Sequence, residues 1–277
     1  VQNELFMYGI TGVHEAGISN HELKLLQEIT QNKTLKLNIY AMLLPSSENI
    51  SFARKNGIYH KDNLLVRSFK VYGDGAMGSR GACLKKAYTD QHNHTGYLTT
   101  SISRMKQIAT ICEETDYQMN THAIGDSANT FLLKTYRDVL KDKVDRRWRI
   151  EHAQIVSPED FGLYKNVIPS VQPTHATSDM YWAEDRIGKE RMKGAYAFKD
   201  LLNKYGKVAL GTDFPVEDIS PIKTFYSAVT RKDAAGNVKT PFQPEGALTR
   251  KQALLGMTLW AAYANREEND KGSLEPN

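Results

Sequence analysis

Two histidines and one aspartate follow apolar runs in this 277-residue chain, and such residues can hold a metal. His122 ends the run in NTHAIGD, His152 the run in RIEHAQ, and Asp213 the run in LGTDFPV. Imidazole and carboxylate are the donors that Zn²⁺ and related divalent ions take. A single histidine at such a place is more often a structural, hydrogen-bonded residue. For the three residues together, a metal site that activates water is as strong an interpretation as a purely structural, hydrogen-bonded role.

A lysine, Lys70, lies inside the apolar run LLVRSFKVYGD, where a core residue is expected. Its amine could extend to solvent or pair with Asp74. Alternatively, apolar neighbours could depress the lysine pKa and leave a neutral amine. A neutral amine can react with CO₂ to give a carbamate, which is an oxygen ligand able to bridge two metals. The sequence by itself leaves both interpretations open.

The glycines at 73, 75 and 78 match the G-x-G-x-x-G pattern of a dinucleotide-binding turn. That pattern requires a helix to begin at the third glycine. The stretch that follows, SRGACLKKAYTDQHNHTG, has no helical apolar period, so a nucleotide-dependent oxidoreductase is not favoured. We expect a tight loop, pinned by Asp74 and Arg80. Arg80 could equally bind an anionic group of a substrate.

Repeated strand-then-helix patterns predict parallel strands with helices outside them, an α/β fold. Seven runs read as strands, and helix-start signals include the Ser19/Glu22 and Thr249/Gln252 capping boxes. An open doubly wound sheet would gather ligand groups at two or three strand ends, whereas a closed barrel gathers all of them at one mouth. Polar groups follow at least six runs, which favours a TIM-type (β/α)₈ barrel. They are His14-Glu15, Lys70 with Asp74, His122, Glu151-His152 with Gln154, Gln172 with His175, and Thr212-Asp213.

A barrel needs eight strands and the sequence offers seven. We expect the missing strand to precede residue 1, because the chain starts without Met inside a predicted helix; a strand near residues 85–98 is the alternative. Residues 1–277 would then be a single (β/α) barrel domain that holds strands 2–8.

Composition excludes several classes of protein. A net charge of +4 and the lack of a basic, aromatic-rich cluster argue against nucleic-acid binding. No apolar run approaches 18 residues, and the two cysteines form no C-x-x-C. The mixed-sign run RDVLKDKVDRRWR predicts a solvated helix face and a strand entry. No signal peptide is visible, which favours the cytoplasm, while the start without Met leaves export open.

Several motifs together resemble the amidohydrolase superfamily, and within it the YtcJ-like metal-dependent hydrolases (the amidohydrolase-3 family). The motifs are, in order, FKVYGDGAMGSRGA, THAIGD, IEHAQ, QPTHA, LGTDFPV and the closing GSLEPN. The resemblance implies a (β/α)₈ barrel, flanked in full-length members by a small β-sandwich. It also implies metal-assisted hydrolysis of C–N bonds in small amide or N-acyl substrates. By position, Lys70 matches the carboxylated lysine, His122 and His152 the metal histidines, and Asp213 the aspartate of the eighth strand.

On this resemblance, one or two divalent metals, zinc in first place, would be held by Lys70, His122, His152 and Asp213. Asp213 would also be catalytic, taking a proton from water and passing it to the leaving nitrogen. His175 would help to stabilise the oxyanion and contact the substrate, together with Gln172 and Arg80. Asp126, four residues after His122, is expected to cap the following helix.

The sequence departs from the family's pattern in two respects: we expect neither the H-x-H pair of the first barrel strand nor the flanking β-sandwich in this chain. The only H-x-H is His92-Asn93-His94, in a polar stretch that predicts a solvated loop. We therefore expect this chain by itself to bind metal weakly and to have little activity. Unpaired sheet edges would favour association of chains as a homo-oligomer or, alternatively, a flexible N-terminal region. The alternative is a non-catalytic barrel that serves as a binding or scaffold module.

Overall fold

A computed structural model describes residues 1–141, 143 and 145–274; the end of GSLEPN, residues 275–277, lies outside the described residues. Its centre is a sheet of seven parallel strands in sequence order. This confirms the α/β class and the seven predicted strands. The strands are β1 (Gly12–Ile18), β2 (Asn38–Leu43), β4 (Leu64–Tyr72), β5 (Gln118–Ala123), β6 (Arg149–His152), β7 (Ile168–Val171) and β8 (Ala209–Leu210).

An eighth strand, β3 (Tyr59–Lys61), was not predicted. It pairs antiparallel with β4 in a hairpin and is not part of the parallel series. Its three residues are too few to show an apolar alternation, which explains why the sequence pattern missed it. The stretch 85–98, the alternative place for a missing barrel strand, holds turns and isolated bridges.

The sheet curls into a half-barrel, as contacts across its concave face demonstrate. Arg149 of β6 places one guanidinium nitrogen 2.9 Å from His14 Nδ1 of β1 and another 3.4 Å from Met42 Sδ of β2. Strands that are far apart in the order β1-β2-β4-β5-β6 can meet in this way only if the sheet bends back on itself. Within the described residues, β1 and β8 do not pair with each other, so both remain edges.

Helices follow most strands and begin where the sequence signals indicate. Ser19 and Glu22 form the capping box of α2, and Thr249 with Gln252 forms that of α10, which confirms both predictions. A 3₁₀ helix, Pro158–Asn166, starts with proline at its first position. The α-helices are α1 (Gln2–Met7), α2 (Asn20–Gln31), α3 (Ser47–Asn56), α4 (Ile102–Thr115), α5 (Asp126–Leu140), α6 (Pro173–Asp179), α7 (Ala183–Met192), α8 (Phe198–Tyr205), α9 (Pro221–Thr230), α10 (Arg250–Met257) and α11 (Leu259–Ala264). None of the described helices combines the length and apolarity needed to cross a bilayer.

The convex side of the sheet is apolar and its concave side is polar. Phe69, Met119 and Ile150 are buried in the main hydrophobic core. The residues that alternate with them face the inside of the half-barrel, and parallel pairing aligns Lys70, Asn120 and Arg149 at one level. Arg149 is the first residue of β6, so the predicted strand entry is present, but it is completely buried rather than solvated. Residues 142 and 144 of the run RDVLKDKVDRRWR lie outside the described residues.

The glycine-rich stretch after β4 is a long, well-anchored loop, and α4 does not begin until Ile102. No helix starts at Gly78, so the structural requirement for a dinucleotide turn is not met. The Asp74 carboxylate accepts hydrogen bonds from the backbone N–H groups of Cys83, Ile124 and Gly125 at 2.8–3.0 Å. The predicted pinning role of Asp74 is therefore visible in the structure.

Gly96 in this loop provides a stability prediction. Its φ is +71°, and a Cβ at this position would lie 2.0 Å from the carbonyl oxygen of Ala82. At Gly206, φ is also positive (+89°), but nothing lies within 4 Å of an added Cβ. We expect Gly206→Ala to lower the free energy of unfolding by about 1–2 kcal/mol, from backbone strain alone. Gly96→Ala should cost at least ~2 kcal/mol more, since the loop must also move. Urea unfolding measures both, and equal losses would contradict the model of a rigid loop.

Candidate metal centre

Three side chains that could ligate a metal meet at the carboxyl end of the half-barrel. They are His152 at the end of β6, His175 on α6 directly after β7, and Asp213 just after β8. One donor atom of each lies within 4.8 Å of the other two. Parallel strands bring their carboxyl ends to one edge, which explains why residues 23 to 61 positions apart in sequence converge. Within the described residues, this is the only such group of His, Cys, Asp or Glu side chains.

The backbone is strained at two of these three positions. His152 has a φ of +74° and Asp213 a φ of +57°, in the left-handed region that non-glycine residues seldom adopt. Such a conformation costs about 1–3 kcal/mol and is concentrated at functional sites. His152 is the last residue of β6, and Asp213 lies three residues beyond the end of β8, so both positions are where the chain leaves a strand. Two strained residues that face each other indicate a functional site.

Gln172 orients His152. Its amide oxygen lies 2.8 Å from His152 Nδ1, and both groups are buried. Because an amide oxygen only accepts, Nδ1 carries the hydrogen and donates it, leaving the lone pair of Nε2 available for a metal. Burial and the nearby His122 and Lys70 hold the pKa of His152 well below its usual value, which keeps the ring neutral. Gln172 thus supports a ligand here; its predicted contact with substrate stays a prediction.

His122, at the end of β5, lies beside His152 with the ring centroids 4.5 Å apart. Burial, together with the charge of Lys70, lowers the pKa of His122 to about 4, so the ring is neutral at pH 7. Its Nε2 is buried without a hydrogen-bond partner among the described residues, 3.6 Å from Asp74 Oδ1. Buried polar atoms are nearly always satisfied, so an orphaned ring nitrogen in this position fits a ligand role.

Lys70 lies at the inner wall of the same mouth and is only 4% exposed. Burial lowers the pKa of its amine, against the opposing attraction of Glu151 and Asp213. Its Nζ is 5.2 Å from the centre of the Tyr72 ring. The environment matches the expectation of an amine with depressed pKa, while the carbamate stays a prediction.

His175 is held between two carboxylates. Its Nε2 lies 3.3 Å from Asp213 Oδ2, and its Nδ1 lies 3.0 Å from Glu217 Oε1. Burial alone would lower the pKa of His175, but the hydrogen bonds and charges of these two carboxylates raise it to about 9. Glu217 was missed at the sequence level, because nothing in FPVEDIS marks one acidic residue of this exposed stretch as facing the site.

The donors present fit a divalent metal. Neutral His122 and His152 and the Asp213 carboxylate match the imidazole and carboxylate preference of zinc-type ions, and the orphaned His122 nitrogen needs a partner. His175 fits less well, since both of its ring nitrogens already face carboxylates. The predicted role of Lys70 as a ligand is that of a carbamate, whose oxygens can bind a metal; its protonated amine has no lone pair to donate.

Arg80 and the histidines of the H-x-H stretch belong to the long loop after β4 and are engaged or exposed there. The Arg80 guanidinium makes a two-pronged contact with Asp90, at 3.0 and 2.8 Å, and Asp90 also pairs with Arg186. This favours loop anchoring over anion binding for Arg80. In the H-x-H stretch, His92 is exposed and His94 Nε2 bonds the Arg80 carbonyl at 2.8 Å, so the pair belongs to the loop as predicted.

The predicted helix cap at Asp126 is wrong. Asp126 is the first residue of α5, and Gly125 occupies the cap position. The Asp126 carboxylate instead accepts a hydrogen bond from the Lys85 backbone N–H at 2.8 Å. Glycine is required at 125, because a Cβ there would lie 2.1 Å from the Cys83 carbonyl oxygen. The helix start is thus built around the close approach of the long loop.

Comparisons with a family profile and with known proteins agree on one family. The amidohydrolase family profile matches residues 2–276. The chain is 32% identical over 218 residues to "Protein LONG AFTER FAR-RED 3" of Arabidopsis thaliana and 32% over 209 residues to "Putative amidohydrolase YtcJ" of Bacillus subtilis. It is 24% identical over 227 residues to "N-substituted formamide deformylase" of Arthrobacter pascens. These alignments cover 77%, 75% and 79% of this chain.

A solved structure, an uncharacterized metal-dependent hydrolase from Pyrococcus furiosus, superposes with a TM-score of 0.88 at 28% identity. The match covers all of this chain and 56% of that one. The chain spans 37–40% of the length of the three curated relatives. Each of these proteins therefore contains a substantial part for which this chain offers no counterpart.

Proposed function

This chain belongs to the amidohydrolase family, and from that premise we propose that it supplies the catalytic half-barrel of a metal-dependent hydrolase that cleaves C–N bonds in small amides or N-acyl compounds. The observation that carries this proposal is the convergence of His152, His175 and Asp213 within 4.8 Å at the carboxyl ends of three strands. Catalytic groups of barrel enzymes lie at that end.

The metal would be held by His122, His152 and Asp213, with Lys70 joining as a carbamate. When bound, a divalent metal lowers the pKa of water toward neutrality and polarises a carbonyl group. Gln172 keeps His152 in the tautomer that presents Nε2. The low exposure of His122 and Lys70 limits the access of bulk water to this wall of the site.

Asp213 is the proposed proton carrier. Its side chain is about one-third exposed, so it can reach both water and a bound substrate. It would accept a proton from the attacking water and deliver it to the leaving nitrogen, which departs as a neutral amine. The His175 Nε2–H donates to one Asp213 oxygen, which leaves the second oxygen for the metal and for this transfer. His175 also carries positive charge near the position where the carbonyl oxygen becomes negative.

The C–N bond is supported by the family description and by the relative named as a formamide deformylase. N-formyl and N-acetyl derivatives of primary amines are therefore the first substrates to test. A dipeptide belongs in the same panel, because hydrolysis of a peptide bond needs the same water attack and would widen the substrate class.

Metal binding by this chain provides the first test. We expect zinc to bind at no more than one or two ions per chain, and weakly, since the donors are fewer than in the complete family set. His152→Ala should weaken zinc binding at least about tenfold, because it removes a donor. His92→Ala is the matched control and should change nothing, since His92 is exposed. Equilibrium dialysis with ZnCl₂ and metal analysis measure the affinity. Unchanged affinity in His152→Ala would contradict the site.

Hydrolysis itself is tested with the full-length gene product, loaded with zinc and supplied with N-formyl and N-acetyl amines. We expect release of the free amine, followed by a primary-amine reagent, and its loss after chelation. Metal binding at this site without hydrolysis of any member of the panel would instead support the alternative, a non-catalytic barrel used as a binding or scaffold module.

A further inference from the structure

We propose that Glu217 is a positioning residue that fixes the His175 ring so that Nε2 faces Asp213. The inference rests on the proposed function, because Asp213 is its proton carrier. Glu217 lies in the segment between β8 and α9, whereas His175 lies on α6. Their contact, His175 Nδ1 to Glu217 Oε1 at 3.0 Å, joins the segments that follow two neighbouring strands.

The geometry around Glu217 is that of a clamp. Ser178, one turn after His175 on α6, donates its hydroxyl to the same Glu217 Oε1 at 2.6 Å. Two donors from one short helix therefore hold a single carboxylate oxygen. The Glu217 side chain is 19% exposed and the His175 side chain 13%, so water competes little for the bond between them, whereas the bond from Ser178 is exposed. With Nδ1 fixed to Glu217, rotation of the ring about its Cβ–Cγ bond would break a bond that solvent cannot fully replace.

The consequence is felt at Asp213. His175 Nε2 donates to Asp213 Oδ2 at 3.3 Å. Within the described residues, this is the only hydrogen bond that the Asp213 carboxylate accepts. A freed ring could swing away, and Asp213 would lose the donor that fixes its second oxygen. Glu217 belongs to no group of metal-donor atoms found in the described residues. Its loss should therefore impair turnover and leave metal binding intact. Partners that orient reacting groups in this way contribute about 10- to 100-fold.

The test uses two variants of the full-length gene product. Glu217→Ala should lower kcat about 10- to 100-fold with KM within about threefold and zinc affinity unchanged. Glu217→Gln should recover most of that loss, because its amide oxygen can still accept from His175 Nδ1 and Ser178 Oγ. Glu190→Ala, at an exposed glutamate paired only with Lys193, is the control and should resemble the parent protein.

A second measurement does not depend on activity. The hydrogen-bonded His175 Nδ1–H should give a low-field proton resonance, assigned by its loss in His175→Asn, and this resonance should vanish in Glu217→Ala. If the parent enzyme hydrolyses nothing but the resonance behaves as expected, the clamp stands and the proposed function fails. A resonance that persists in Glu217→Ala, or a kcat that does not change in an active enzyme, would overturn the clamp.

Discussion

Asp213→Asn is expected to lower kcat about 1,000-fold for hydrolysis of an N-formyl or N-acetyl amine by the full-length gene product. General acid–base catalysis by a positioned side chain contributes about 10²- to 10⁴-fold, and an amide cannot accept the proton that the attacking water must lose. The substitution preserves the size of the side chain and an oxygen that can accept from His175 Nε2. Because Asp213 is also a proposed metal ligand, the rate is expressed per bound zinc, measured on the same sample.

Asp218→Asn is the matched control for this substitution. Asp218 lies five residues further on, is exposed, and pairs with Lys223 at the surface. Such surface pairs contribute little, so we expect kcat to stay within about twofold of the parent. If Asp213→Asn retained a third or more of the parent kcat per zinc, Asp213 would not be the proton carrier. If both variants lost activity equally, a general disturbance of the loop after β8 would be the cause.

The sequence could indicate where candidate ligands would gather, because the polar residues follow the strands. His122, His152 and Asp213 each end an apolar run, and parallel strands bring such ends together whatever their separation in sequence. The same reasoning predicted that Lys70 is buried, which its low exposure bears out, but its neighbours on the concave face include the polar side chains of Asn120 and Arg149. The order of the strands and the type of residue at the end of each strand could therefore be predicted from the sequence.

The hydrogen-bond partners of these residues could not be predicted from the sequence, because the loops determine which side chains reach them. Glu217 reaches His175 from 42 positions away through a segment with no periodic pattern. The positive φ of His152 and Asp213 is likewise absent from the pattern, since both follow ordinary strand residues. At Asp126 the sequence signal misled: an acidic residue before a helix usually caps it, but here the close approach of Cys83 requires Gly125 at the cap.

Burial of charge was also hidden from the sequence. Arg149 belongs to the run RDVLKDKVDRRWR, whose mixed charges are typical of solvated surface. Strand alternation could have indicated that Arg149 and Glu151 share a face, but not that the face is enclosed. Enclosure depends on the curl of the sheet, which brings β1 and β2 over the arginine. The polar interior of the half-barrel thus emerges only from the assembled strands.

Arg149→Ala should accordingly be among the most destabilising substitutions in this chain, at about 3–5 kcal/mol. The guanidinium is fully buried, and its Nε lies 3.0 Å from Glu151 Oε1. It also approaches His14 Nδ1 and lies 5.5 Å from the centre of the Tyr40 ring, so one side chain links three strands. Truncation leaves a buried carboxylate without its nearest cation and creates a cavity beneath the candidate metal centre.

A second variant separates the two causes of this loss. Arg149→Met fills the cavity but still leaves the Glu151 carboxylate buried without a cation. The double variant Arg149→Met/Glu151→Gln should therefore recover part of the stability that Arg149→Met loses. Arg137→Ala is the control, because Arg137 makes an exposed pair with Asp138 and should change the free energy of unfolding by less than about 0.5 kcal/mol. Urea midpoints of these four variants and of the parent protein measure these differences. If Arg149→Met and the double variant lose the same free energy of unfolding, packing is the cause of the loss. If Arg149→Ala loses less than ~1 kcal/mol, the arginine does not have a central place in the half-barrel.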